Sequence, residues 1–322
     1  MKRQFLKRKD CATVAGSYAV GINLPFKSPY DWPAILRFFQ SHSIPGIERV
    51  TETYFERLFR LKNTIGLVRV GASAGKPELK VTIAPDDLRI RLEVIGRVRK
   101  MFDLDCDPEV IAESFARIPL LGQLCGRFPG LRLARGWDPF ETAICSILGQ
   151  LVSAAQRSNL IGQLVRNYGE EVAAPAEPGK VHLFPSVEVL ARSDLQAVKT
   201  TIVRREAIRD FSRRVLSGAV SFSETQAPAA FRKSLLDIKG LGPWSAEYIS
   251  LRAIGDRDAF PQTDLILKRA LALHPDLDLE QIRPWRSYAA TYLWKEFAQI
   301  LSRHSKEKQN APVPHLHGIP GR

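Results

Sequence analysis

Apolar and polar residues alternate over residues 65–70 and again at Leu79, Val81 and Ile83, and residues 50–60 are rich in Thr, Tyr and Phe. The pattern predicts strands over residues 50–60, 65–70 and 79–83, the last half-buried. Ahead of them, residues 29–41 predict a helix, with Asp31 as its cap and Pro33 tolerated in its first turn. Residues 90–102 fit two periods. Ile90, Leu92 and Val94 alternate, whereas Leu92, Ile95, Val98 and Phe102 form a helical stripe; the length, with Gly96 as the only breaker, favours the helix. Residues 20–105 therefore read as a small α+β unit. From residue 107 strand signals nearly vanish. Ile144, Ile147, Leu148 and Leu151 fall at i, i+3, i+4 and i+7 within a helix predicted over 140–168. Asp138 caps it, Pro139 opens it and Glu141 stands at the capping-box position. Further helices are predicted over 186–191, 194–200, 204–217, 232–238, 243–254, 265–273 and 287–302, with 172–185 a loop rich in Pro and Ala.

The fold class is thus α+β: a small N-terminal α+β domain over 21–108 and a mostly helical core over 109–303. The basic residues 1–20 read as a disordered leader and the polar, Pro-rich residues 304–322 as a disordered tail. A chain of 322 residues with 45% apolar content supports more than one core. Its net charge of +13 favours a polyanionic partner, nucleic acid before a membrane surface. No stretch approaches the roughly 18 apolar residues of a membrane helix, and the segment after the basic start is too weakly apolar for a signal peptide. The four cysteines, Cys11, Cys106, Cys125 and Cys145, show no CxxC pair. That argues against a disulfide framework or a zinc ribbon and for thiols in a reducing cytosol.

The most informative stretch is 235–264. An apolar helix end runs into Gly240-Leu241-Gly242, a new helix opens at Pro243-Trp244, and a lone acid, Asp264, stands at the mouth of the next helix. Two glycines around one apolar residue let a backbone turn sharply and approach another molecule closely, and the amides that follow attract anions. The same pattern alone also fits an ordinary tight helix–helix turn. Asp264 fits a plain helix cap; Asp237, Asp256 and Asp258 are weaker candidates for a functional acid. Trp244 and Tyr248 share one helix face at i, i+4, which suits a core or an aromatic pocket equally.

The order Ile-x-Gly-Leu-Gly-x-Trp-Ser-Ala followed by Asp resembles the helix-hairpin-helix DNA glycosylases. PYDW near residue 30, MFDLDCDP at 101–108, FPGLRL at 128–133, ILGQLVS at 147–153 and PWRSYAATYLW at 284–294 extend the resemblance, in order, over about residues 23–300, and specifically to the DNA-3-methyladenine glycosylase II branch. The resemblance implies two helical lobes behind the α+β domain, with the active site in the cleft between them. It implies a hairpin of Gly240, Leu241, Gly242 and Trp244 that grips a DNA phosphate. A monovalent cation, Na or K, would sit on the backbone carbonyls of Leu236, Ile238 and Leu241, with no other cofactor required. Asp264 would stabilise the cationic sugar of an everted nucleotide, Trp244, Tyr248 and Trp294 would line the base pocket, and Leu151 would be the wedge that fills the gap in the stack. Leu151 equally fits the apolar stripe of its helix. Bifunctional relatives carry a Lys where this chain has Trp244, so base release without strand cleavage is expected.

The function implied is excision of alkylated purines from double-stranded DNA in base excision repair, by a monomer in the cytoplasm, at the nucleoid. A same-fold glycosylase for a deaminated or oxidised base, or a helix-hairpin-helix DNA-binding protein without catalysis, are the competing readings. The chain departs from the family in its longer N-terminus, in its tail, and in KTTIVRREAI at 199–208, which replaces a Gly-containing turn.

Overall fold

The computed structural model describes residues 19–175, 179–223 and 225–310, with side chains to residue 303. Most of the predicted leader and the end of the predicted tail lie outside these residues. The first strand begins at Val20, and the last helix runs on through 303 to Asn310.

The N-terminal unit is a five-stranded antiparallel sheet of β1 (Val20–Pro25), β2 (Glu48–Val50), β3 (Tyr54–Leu61), β4 (Thr64–Ala72) and β5 (Glu78–Ala84), in the order β1-β5-β4-β3-β2. β3 and β4 form a tight hairpin in which Leu61 faces Thr64. Helices α1 (Trp32–His42) and α2 (Leu88–Met101) pack against it, so the ambiguous stretch 90–102 is helical. Phe39, Phe55, Phe59, Val81, Val94 and Phe102 fill this core, and Trp137, from well beyond the sheet, joins it.

Two helical lobes follow. One is built from α3 (Pro108–Ala116), α4 (Pro119–Arg127), α11 (Leu265–Ala272) and α12 (Arg286–Asn310) around Phe115, Leu121, Leu267 and Leu293. The other contains α5 (Pro139–Leu148), α6 (Ala154–Tyr168), α7 (Val187–Arg192), α8 (Ile202–Leu216), α9 (Pro228–Leu236) and α10 (Pro243–Ile249), around Ile144, Leu164, Ile208 and Leu235. The chain enters the first lobe, crosses to the second and returns, so the connections between lobes bring distant segments together. Arg57, buried in the sheet, ion-pairs with Glu48 and with Glu141 of α5 and locks the α+β unit to the second lobe. Glu141 is thereby drawn away from the capping-box contact its position predicts. Among the described residues no helix is long and apolar enough to cross a membrane.

Four local expectations fail for identifiable reasons. The helix predicted over 140–168 is two helices. The chain breaks at Gly149, passes through Leu151 in the left-handed region (φ 51°), and restarts where the Ser153 hydroxyl accepts from the Gln156 amide. Residues 172–185 contain a short hairpin, β6 (Glu171–Ala173) with β7 (Lys180–His182). The helix predicted over 194–200 is absent: Asp194 accepts from the Gln196 amide and Leu195 is left-handed (φ 58°), a turn that competes with helix. Finally, the helix predicted over 243–254 changes after Ile249 into a π-helical turn, Ser250–Ile254, which ends at left-handed Gly255.

Candidate active site

The hairpin joins α9 to α10. Gly240 adopts φ 95°, where a β-carbon would be strained, and α8 lies so close that such a carbon would come within 3.0 Å of Val203 Cγ1. Leu241 donates its amide to the Ile238 carbonyl (3.0 Å) and turns its side chain into the core. Gly242 differs. Its φ of −104° suits any residue, and a β-carbon there would meet no protein atom within 4 Å. The fold itself does not require glycine at 242; open space lies in front of it. α10 begins with no side-chain cap for its first amides.

Asp264 caps α11, as its isolated position predicts: Oδ1 accepts from the amides of Ile266 and Leu267, both at 3.0 Å. The same carboxylate also receives two indoles. Trp244 Nε1, from the second lobe, donates to Oδ2 at 3.0 Å, and Trp294 Nε1, from α12, donates to Oδ1 at 3.1 Å. A carboxylate offers about four lone-pair directions. Oδ1 has three donors and Oδ2 only one, so the oxygen with a free lone pair is the one facing Trp244. The Trp244 and Tyr248 rings stack at 4.9 Å with planes 10° apart, and Tyr248 meets Trp294 edge-on at 6.2 Å. The four residues named from separate parts of the sequence thus form one cluster across the two lobes.

The other acids do not join it. Asp256 is buried against Arg232 and the Ser250 hydroxyl, and Asp258 pairs with Arg283 and Arg286. These are ion pairs within the scaffold. Leu151 is not a core residue: it is 102% exposed.

Sequence reading missed three residues that complete the aromatic wall. Phe38 and His42, one turn apart on α1, stack at 4.2 Å, and the buried Arg252 guanidinium lies 4.4 Å from the Phe38 ring, 5.2 Å from Trp294 and 5.6 Å from Tyr248. Arg252 donates to the Ala134 carbonyl (2.8 Å), and burial lowers its pKa. His42 Nδ1 lies 2.8 Å from the Phe38 carbonyl, which can only accept, so Nδ1 carries the proton and Nε2 accepts from the Tyr248 hydroxyl at 3.4 Å. Part of the imidazole is open to a cavity, yet its surroundings bury it deeply. That burial, with the Arg157 and Arg252 charges, pushes its pKa down to about 3. A cavity of about 420 Å³ lies between α1 and α12, lined by Phe38, His42, Arg252 and Trp294 among others. The available signal was the i, i+4 aromatic pair on α1, beside the PYDW motif.

Comparison with known proteins agrees with this architecture. The AlkA N-terminal domain family matches residues 21–138. A Mycobacterium tuberculosis protein described as a probable bifunctional transcriptional activator/DNA repair enzyme AlkA is 31% identical over 299 residues, 89% of this chain and 59% of that one. This chain therefore spans about 59% of that relative's length. A DNA-3-methyladenine glycosylase of Bacillus subtilis is 31% identical over 222 residues, 64% of this chain and 72% of the relative. In structure, the 3-methyladenine DNA glycosylase from Archaeoglobus fulgidus superposes with a TM-score of 0.70 at 19% identity, over 87% of this chain and 99% of that one, a likeness of fold. By sequence kinship and by fold, the chain belongs to the DNA-3-methyladenine glycosylase family.

Proposed function

We propose that this protein is a monofunctional DNA glycosylase that everts an alkylated purine nucleotide from duplex DNA and hydrolyses its N-glycosidic bond, opening base excision repair. The observation that carries the reading is the meeting of two indole N–H groups, one from each lobe, on the carboxylate of Asp264. As the N-glycosidic bond breaks, positive charge gathers on the deoxyribose. A carboxylate held by four N–H donors is already oriented and stabilises that charge without reorganising, which favours the transition state over the ground state. The open lone pair of Oδ2 faces the sugar or orients the attacking water. Trp244, Tyr248 and Trp294 offer π faces to a base that is itself cationic. Such a base leaves readily, so no second carboxyl group is needed as general acid, in contrast to the paired carboxylates of glycoside hydrolases.

The backbone from Gly240 to Trp244 grips a phosphate, and Leu151 fills the space the base vacates. The carbonyl oxygens of Leu236, Ile238 and Leu241 are hard donors suited to a monovalent cation, which would add positive charge beside that phosphate. Trp244 has no amine with which to form a Schiff base, so base release proceeds without strand nicking. A single chain carries hairpin, wedge and pocket, and acts as a monomer on double-stranded DNA.

The test is Asp264→Asn, assayed on duplexes bearing methylated, hypoxanthine or oxidised bases, with free base and strand nicks scored separately. Asn still caps α11, so folding is preserved. Base release from the methylated duplex should fall by at least about 10³-fold, on the order of 4 kcal/mol, while binding to an abasic-site analogue persists. Near-normal excision by the variant would defeat the assignment. Wild-type release from the oxidised duplex alone would move it to another lesion.

A further inference from the structure

The five-residue loop between α5 and α6 is tied on two sides. Gln150 donates from Nε2 to the Gly240 carbonyl at 3.2 Å and to Ser245 Oγ at 2.6 Å, which uses both N–H groups of its amide. The backbone carbonyl of Gln150 accepts from the Arg204 guanidinium. Arg204 belongs to α8, whose Val203 and Ala207 press on Gly240. Loop, hairpin and α8 therefore close a triangle: Gln150 to the hairpin, hairpin to α8, and α8 back to Gln150. The next residue in the loop is Leu151, left-handed and without packing partners of its own. Gln150 is half-buried, so the site does not call for a polar side chain on grounds of burial.

We infer that Gln150 is a positioning residue that sets the spacing between the phosphate held by the hairpin and the duplex step entered by Leu151. The inference rests on the hairpin and wedge roles proposed above. A loop of this length, freed from the hairpin, samples several arrangements, and only one brings the wedge over the step served by Asp264. Anchoring the loop to a hairpin carbonyl converts any grip on the backbone into a fixed register for insertion. Loss of the anchor leaves the grip intact and makes insertion inefficient.

The experiment compares Gln150→Ala, Leu151→Ala and the double variant in the full chain. Three quantities are read: affinity for undamaged duplex, single-turnover excision from a methylated duplex, and fluorescence of 2-aminopurine beside the lesion, which reports unstacking. Gln150→Ala should slow excision at least tenfold and reduce the unstacking signal, with duplex affinity unchanged within twofold. The double variant should be no more than twofold slower than Leu151→Ala, because an anchor without a wedge has nothing to place. Ser245→Ala removes one of the two acceptors and should give a smaller loss in the same direction, which keeps the test open if Gln150→Ala lowers the melting temperature. Excision by Gln150→Ala within twofold of wild type, losses that multiply in the double variant, or an equal fall in duplex affinity would each overturn the inference. Normal excision by Leu151→Ala would instead remove the wedge role itself, and this inference with it.

Discussion

Leu151 and Leu195 are the same residue in nearly the same backbone conformation, φ 51° and 58°, in opposite surroundings. Leu195 is wholly buried and packs into the core of the second helical lobe; Leu151 has no cover at all. A left-handed conformation costs an L-residue roughly 1–2 kcal/mol. Burying a leucine side chain returns about 1.5–3 kcal/mol, so Leu195 offsets its strain by packing. Leu151 has no such offset: a large apolar side chain is held in a strained conformation and in water. Gly240 stands between the two cases. It is left-handed as well, but it carries no side chain, and a β-carbon there would come within 3.0 Å of Val203 on α8. Strain with compensation belongs to the fold, whereas strain without it marks a place where something other than stability sets the residue.

Four substitutions separate these cases. Leu195→Ala should destabilise most, by about 2–5 kcal/mol in chemical denaturation, because it leaves a cavity and keeps the strain. Gly240→Ala should cost about 1–3 kcal/mol, since the new methyl meets Val203 in a conformation it disfavours. Gly242→Ala should leave stability within about 0.5 kcal/mol and yet weaken binding roughly tenfold, about 1.4 kcal/mol, for damaged and undamaged duplexes alike, because phosphate contacts position and do not specify. A lesion-dependent loss there would break the assignment of the hairpin. Leu151→Gly should not destabilise the fold at all: relief of the left-handed strain gives a gain of up to about 1 kcal/mol in thermal unfolding, while excision slows. A variant that loses both stability and excision would erase the contrast with Leu195.

Asp264 shows that a structural role and the proposed chemical one need not compete. It is the helix cap that its position in the sequence announces, and through the same carboxylate it is the meeting point of two indoles. The cap orients the group to which the proposed chemistry is assigned. Family motifs pointed to Trp244, Tyr248, Trp294 and Asp264 one by one; that they form one cluster is a matter of the chain returning to its first lobe at α11 and α12. Phe38 and His42 escaped notice because α1 reaches the site from some 200 residues away, and a lone aromatic pair on a helix carries no sign of its destination; Arg252, four residues after Tyr248, gains its place only from meeting the Phe38 ring.

What the amino-acid order determined by itself were features decided over a few residues. Alternation marked the sheet, aspartates marked helix starts, and Gly240 marked a turn, since caps, periods and φ preferences act within one or two turns of chain. Tertiary structure alone decided matters that depend on neighbours far along the chain. It turned Glu141 from its cap to Arg57, replaced the helix at 194–200 by a turn whose leucine is held in the core, and split the helix at Gly149 so that Leu151 left the apolar stripe for open solvent. At Glu141 a partner 84 residues away outweighs local preferences of about 1 kcal/mol per residue, the loop at 149–153 is tied to Gly240, Ser245 and Arg204, and at 194–200 the local Asp194 turn is joined by burial of Leu195.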